Sequence, residues 1–379
     1  VQSTQKPTIV SSTLTWEKVT TLDLGLDARF FNDALGVTFD WYNRTTSDIL
    51  TTANLPATLG ADAPYENMGT IQTKGWELAI DYRHTFKNGL HFGVTASVAD
   101  DKTEVTKWTY NTKIPSYGAT GWWDKSAYKE GMVLGDIWGL QFDRFLTEDD
   151  FNADGSLKAG LPDQTKVFPA GYQFAPGDVL YKDLDNNGEI VKQTNTNDKG
   201  DLSVIGNALP RLQFGLNLDA AWKGFDISMF FQGVAKRKLW AAGNQVLPGF
   251  TTGEPFYKGA EDYWTPENTD AFYPRPMDYK QSASGNYSVN DRYLLNMAYL
   301  RLKTFTVGYS LPKVWLSKFK VQGLRVYFTG ENLFTIDGVK PAIDPEIGIR
   351  TASGKSDQRN FGRSYPYQKT VSFGIQLSL

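Results

Sequence analysis

With 379 residues, 41% of them apolar, and no run approaching the roughly 20 consecutive apolar residues of a membrane helix, the chain is excluded from the helical membrane proteins. It contains no cysteine, so neither disulfides nor thiol chemistry holds or operates it. A net charge of −3 without a basic block argues against a nucleic-acid partner, while 11 Trp, 19 Tyr, 23 Phe and 35 Gly favour strands, tight turns and recognition loops.

The chain opens on Val1-Gln2-Ser3-Thr4-Gln5-Lys6, with neither an initiator Met nor the apolar core of a signal peptide, and is expected to be a piece of a longer protein. From Leu22 onward a period of two takes over. Leu22, Leu24, Leu26, Ala28 and Phe30 oppose Asp23, Asp27 and Arg29; Leu35, Val37, Phe39 and Trp41 oppose Thr38, Asp40 and Tyr42. Trp76, Leu78, Ile80 and Tyr82 then oppose Glu77, Asp81 and Arg83, and Leu90 to Val98 repeats the pattern. Arg211 to Trp222 shows it best: Leu212, Phe214, Leu216, Leu218, Ala220 and Trp222 share one side, and Arg211, Gln213, Gly215, Asn217 and Asp219 the other. Phe225 to Phe231, Leu300 to Tyr309, Leu324 to Phe328 and Val371 to Leu379 follow, with a phase slip near Lys303-Thr304 that predicts a β-bulge.

Those are nine strands, and the connections between them alternate in length. Short turns sit at Asn32-Asp33, Lys87-Asn88-Gly89, Lys223-Gly224 and around Leu311-Pro312; long connections sit at 45–69, 106–210, 239–298 and 336–367. Short turns on one side, long loops on the other, and aromatics such as Phe30, Phe86, Trp222 and Phe225 beside the short turns form the pattern of a transmembrane β-barrel. Up–down parity allows segment 106–210 either no crossing or two, with Met132 to Leu146 as the candidate, and eleven strands is the preferred count. Either count is odd and cannot close antiparallel on itself, so further strands are expected from elsewhere. A soluble β-sandwich would instead place Phe214, Leu216 and Leu218 in a dry centre between two sheets.

Several short motifs recur in order: Lys74-Gly75-Trp76-Glu77-Leu78, Tyr181-Lys182-Asp183-Leu184-Asp185-Asn186-Asn187-Gly188, Ile205-Gly206-Asn207 with Pro210, and Phe230-Phe231-Gln232-Gly233. Trp264-Thr265-Pro266-Glu267-Asn268, Tyr299-Leu300-Arg301-Leu302-Lys303, Gly308-Tyr309-Ser310-Leu311-Pro312 and Tyr365-Pro366 complete the series. Together they resemble the C-terminal part of the SusC/RagA family of TonB-dependent outer-membrane transporters. The resemblance implies an all-β fold, a transmembrane antiparallel β-barrel of which residues 1–379 form the C-terminal portion, nine to eleven strands with long extracellular loops. The plug domain and N-terminal strands are expected outside this chain, in a whole barrel of about 22 strands.

It further implies active import of oligosaccharide or peptide nutrients in the outer membrane of a Gram-negative bacterium, a SusD-like surface lipoprotein as partner, TonB contact through the missing N-terminal part, and outer-membrane lipid around the barrel. A siderophore receptor and a passive porin stay open as alternatives. Two departures stand out: the chain ends on Leu379 where such barrels usually end on an aromatic, and Trp76 replaces the commoner aliphatic residue after Gly75.

Two groups of site residues emerge. Asp183, Asp185 and Asn187, followed by Gly188, place oxygen ligands at alternating positions as in the first half of a calcium loop, but position twelve holds Thr194 rather than a bidentate Glu. A Ca²⁺ site and a solvated Asx-Gly turn both fit. A second copy, Asp150-x-Asn152-x-Asp154-Gly155, has Leu161 at that position. Trp122, Trp123, Trp240, Tyr263 and Trp264 lie in long loops, either as stacking platforms for sugar rings or a peptide or as loop packing. His84 and His91 fall on opposite faces and cannot share a metal; no residue stands in the context of a nucleophile, a general base or a phosphate cradle, so no enzyme is expected.

Overall fold

The computed structural model describes residues 11–52, 64–109, 128–192, 199–241, 243, 245–250, 256–277, 285–317, 321–340, 343–346 and 367–378. Its first four strands are β1 (Lys18–Phe30), β2 (Leu35–Thr52), β3 (Tyr65–Thr85) and β4 (His91–Trp108). Short strands β5 (Asp136–Gly139), β6 (Phe142–Phe145), β7 (Val179–Tyr181) and β8 (Ser203–Asn207) follow, then the long β9 (Arg211–Trp222) and β10 (Phe225–Lys236). After β11 (Lys238–Leu239) and β12 (Leu295–Asn296) come β13 (Tyr299–Ser310), the single-turn helix α1 (Lys313–Leu316), β14 (Gly323–Glu331), β15 (Thr335–Asp337) and β16 (Thr370–Ser378).

Nine long strands make one antiparallel path, β1-β2-β3-β4-β9-β10-β13-β14-β16, with β15 added beside β13. All nine coincide with the segments of period two. The predicted bulge is present: Phe230 pairs with Thr304 and Phe231 with Leu302, leaving Lys303 as the extra residue. The preferred count of eleven is corrected to nine. Strand β4 pairs directly with β9, from His91↔Ala221 to Ala99↔Gln213, so segment 106–210 inserts no strand between them. Met132 to Leu146 divides instead into the four-residue β5 and β6, which pair with β8 and β7, and Ile137, Leu140 and Leu146 are wholly buried. Their alternation serves a packed loop, not a bilayer. The connection expected at 45–69 also shortens, because β2 and β3 run on to Thr52 and back from Tyr65. A spanning strand needs about 9–11 residues; the 21 of β3 carry the sheet well past a bilayer on the side of the long connections.

Turn chemistry fixes the other end. Lys223 and Gly224 both have positive φ (50° and 89°), the two-residue geometry that matches the twist of a hairpin, and Trp222 and Phe225 pair across it. Phe30, Phe86, Trp222 and Phe225 are all exposed beside the short turns.

The apolar face is not a core. Phe214, Leu216 and Leu218 are only partly covered, and Leu24, Leu26, Ile375 and Phe373, the last 83% exposed, have no second sheet over them. The dry centre that a sandwich demands is absent among the described residues. Burial is concentrated elsewhere, in three clusters: two built from the long connections, one around Trp240, Leu247, Tyr273 and Tyr293 and one around Leu140, Val179, Tyr181 and Trp264, and a third where Ile49 of β2 and Val105 and Trp108 of β4 meet Tyr128 and Met132. The loops therefore fold as packed bodies with their own hydrophobic interiors. Among the described residues no helix is long and apolar enough to cross a membrane.

Candidate functional site

The polar face of the sheet is an ordered wall. Arg29 donates to Asp81 at 2.7 Å, Arg325 to Asp226 at 2.5 Å, and Thr38 to Asp27 at 2.8 Å, each across strands. His91 Nε2 lies 3.5 Å from Asp219, while His84 packs edge-on against Phe86 on the apolar side, so the two histidines are on opposite faces as expected. Some side chains lie flat over glycines: a Cβ on Gly75 would come within 2.4 Å of the Tyr42 ring. The wall stays low where it would otherwise bristle, and Thr38, Asp40, Glu77, Ser97, Gln213 and Gln232 line a hollow of about 550 Å³ along it. Acidic groups outnumber bases on this surface, which suits hydrophilic rather than apolar contents.

One expected position shifts. Leu212 has φ of +53°, and Arg211, expected to share the polar face with Gln213, reaches instead to Asp100, whose Oδ1 also accepts from the Leu212 amide at 3.1 Å. The strand alternation begins only past this kink.

The aromatic candidates separate by burial. Trp240 is 3% exposed inside the cluster of Leu247 and Tyr273, and Trp264 is 7% exposed, its ring over Gly177, whose φ of +90° and missing Cβ make room for it. Neither has a free ring face to offer a sugar or peptide, so both are corrected from binding platforms to loop core. Tyr263 is different. At 39% exposure it lines a cleft of about 570 Å³ with Tyr257, Phe256, Pro248, Pro274 and Pro276, floored by the buried Tyr273 and Tyr287. Burial pushes the Tyr273 hydroxyl up to about 12, Asp262 adding to it, and the hydroxyl donates to Val246 O at 3.0 Å. Trp122 and Trp123 lie outside the described residues.

The cleft rests on a buried polar knot absent from the sequence reading. Asp178, fully buried, accepts from Tyr172 Oη (2.8 Å), Arg275 Nε (2.8 Å), Asn286 Nδ2 (2.9 Å) and the Ala175 amide (2.9 Å). Asn286 Oδ1 in turn accepts from the Val179 amide at 2.8 Å, so two segments a hundred residues apart are tied at one carboxylate.

Around Asp183 the loop turns tightly. Gly188 N donates to Asp183 Oδ2 at 2.8 Å, Asn187 N to Asp185 Oδ1 at 3.1 Å, and Glu189 N to Asn187 Oδ1 at 2.8 Å. Asp201, which the sequence reading missed, joins them: it is fully buried, accepts from the Leu184 and Val191 amides at 2.8 Å each, and brings a carboxylate oxygen within 4.8 Å of Asp183 and Asp185. Asp183 Oδ1 is buried without a hydrogen-bond partner. The three carboxylates supply oxygens of the kind a hard cation takes, whereas Asn187 donates its amide nitrogen to Asp185 Oδ2 at 3.1 Å and has its oxygen on the Glu189 amide. The second copy is committed elsewhere: Arg144 grips Asp150 through both Nη atoms (2.5 and 2.7 Å), and these bonds foremost hold the Asp150 carboxyl at about 2.

Comparisons with known proteins bear on these surfaces. Residues 2–333 match a family model described as TonB dependent receptor-like, beta-barrel. TonB-dependent receptor P3 of Formosa agariphila is 28% identical over 376 residues, covering 96% of this chain and 34% of that protein. TonB-dependent receptor SusC of Bacteroides thetaiotaomicron is 24% identical over 386 residues, covering 100% of this chain and 33% of that protein. The solved structure of the RagAB peptide transporter superposes with a TM-score of 0.67 at 21% identity, over 97% of this chain and 36% of the other. The chain thus spans about a third of the length of the curated relatives it matches.

Proposed function

The chain belongs to the TonB-dependent receptor-like β-barrel family, and from that premise we propose that the protein containing it imports oligosaccharide or peptide nutrients across the outer membrane of a Gram-negative bacterium. The observation that carries this reading is the pairing of that match with a nine-strand sheet whose apolar face is uncovered and whose other face is a hydrophilic wall. In it the apolar face meets lipid, the wall lines the passage, and the packed loops stand outside to take hold of cargo. Both sheet edges, β1 and β16, have a partner on one side only among the described residues, and strands from the rest of the protein would close them. Energy would arrive from TonB through the part that lies outside this chain, and a SusD-like lipoprotein would cover the loops. Tyr263, with Trp122 and Trp123, is carried in this proposal as a cargo-contacting residue.

Uptake of labelled oligosaccharides and peptides by cells expressing the full-length protein tests it. Accumulation is expected to stop when a protonophore collapses the proton-motive force. Uptake that continues unchanged would identify a passive pore, and uptake of ferric chelates alone a siderophore receptor.

The proposal includes Ca²⁺ at Asp183, Asp185, Asn187 and Asp201. The partnerless Asp183 Oδ1 among neighbouring carboxylates supports it. Calorimetric titration of the full-length protein with Ca²⁺ is expected to give a saturable signal that disappears in the double variant Asp183→Ala, Asp185→Ala. Superimposable traces from the two proteins would return the loop to an ordinary Asx-Gly turn.

A further inference from the structure

We infer that the tyrosine and proline cleft of the 239–298 connection binds a proline-rich peptide segment in the extended polyproline II conformation. This deepens the import reading and rests on it only for placing that connection on the outer side. A volume of about 570 Å³ lies within the 300–1,000 Å³ range of ligand sites. Its floor is rigid before any ligand arrives: Tyr273 stacks on Tyr293 at 6.0 Å, Tyr287 meets the same ring edge-on at 5.3 Å, and all three are buried. Pro248, Pro274 and Pro276 form part of the walls, with fixed φ and no amide hydrogen to satisfy. Above them Phe256, Tyr257 and Tyr263 stand 62%, 40% and 39% exposed, so the ring faces missing from Trp240 and Trp264 are available here.

The lining chemistry selects the ligand. A glycan presents many hydroxyls that need partners, but the three prolines offer no amide hydrogen and the Tyr273 hydroxyl is already engaged with Val246 O, which leaves the other tyrosine hydroxyls, Lys258 and Glu261. A β-strand ligand would need a free backbone edge, yet at this wall Trp264 N donates to Tyr273 O and Tyr273 N to Asp262 O. A polyproline II segment needs neither. Its backbone stays hydrated, it loses little entropy on binding, and its flat ring faces pack into aromatic-lined grooves. Of the two exposed charges in the lining, Glu261 complements a basic residue flanking the prolines and Lys258 an acidic one.

Fluorescence anisotropy with the detergent-purified full-length protein and a fluorescein-labelled peptide, acetyl-Arg-Pro-Leu-Pro-Pro-Leu-Pro, tests the inference. Saturable binding is expected, weakened about tenfold or more by the double variant Tyr257→Ala, Tyr263→Ala and retained by Tyr257→Phe, Tyr263→Phe, which keeps the rings. Both residues are exposed, so truncation leaves the folded loop intact, as an unchanged tryptic pattern would verify. Neither maltohexaose nor a Gly-Ser peptide of equal length is expected to displace the probe. Absence of saturable binding, equal affinity of the alanine variant, or displacement by maltohexaose would each overturn the inference, the last making the cleft a glycan site. Energy-coupled uptake is read separately, so a failed peptide site with intact uptake leaves the import reading standing, and the reverse outcome removes import alone.

Discussion

Replacing Leu216 by arginine is expected to destabilise the membrane-inserted protein by about 2–4 kcal/mol, whereas Asn217→Arg, one residue along the same strand, costs far less. The two positions share backbone, strand and depth. Leu216 sits between Ala96 and Phe231 on the apolar face, Asn217 between Thr95 and Phe230 on the other. Only the direction of the side chain differs: one arginine would have to bury its guanidinium in hydrocarbon, the other would enter a hydrophilic surface already carrying Asp219 and His91. Urea titration of the full-length protein in phospholipid vesicles measures both. Equal costs would mean that the two faces meet the same solvent, and the lipid-facing assignment would fall.

That contrast is readable in the sequence because a strand writes its two environments at alternate positions, and a single substitution inverts one letter of the pattern. The same logic located all nine long strands and the extra residue at Lys303, since a bulge changes the phase of the alternation. It failed where alternation has another cause. Ile137, Leu140 and Leu146 repeat apolar spacing because they fill the interior of a folded connection, and spacing alone does not reveal which apolar medium receives a side chain. Arg211 misled for a local reason: the positive φ at Leu212 breaks the phase one residue before the regular strand, and nothing in the residue type announces a left-handed leucine.

The loops were less legible still, because their contacts join residues far apart in the chain. Trp240 and Trp264 have the composition of a binding platform, but only the tertiary packing around Tyr273 and over Gly177 shows their faces to be covered. Asp201 escaped for a related reason. A contiguous calcium loop closes at its twelfth position, where this chain has Thr194; the carboxylate that approaches Asp183 and Asp185 comes from further along the chain. Of the loop aromatics named from the sequence that the structure describes, Tyr263 is the one left in an open cleft.

The second large effect is expected at Asp178, where Asp178→Ala should loosen the loop assembly by about 3–5 kcal/mol while leaving the sheet untouched. The carboxylate is fully buried and receives hydrogen bonds from Tyr172, Arg275, Asn286 and the Ala175 amide. Removing it strands the Arg275 guanidinium, itself largely buried, without its anion, and frees Asn286 to drift from the Val179 amide. Asp178→Asn keeps the shape and one acceptor but loses the charge, so its cost should fall between the variant and the native protein. Because the nine strands are held by their own ladders and share no buried cluster with Asp178, the loss should be local. Amide hydrogen exchange on the full-length protein reads this directly: faster exchange across 172–181, 272–277 and 285–290, with β3, β4 and β9 as protected as before. Uptake should drop in the same variant although the protein still inserts in the membrane, because the knot holds Pro274 and Pro276, through Arg275, against the cleft that Tyr263 lines. Unchanged exchange in both loop segments would show that the knot is not what holds these loops together, and global loss of strand protection would show that loops and barrel fold as one cooperative unit.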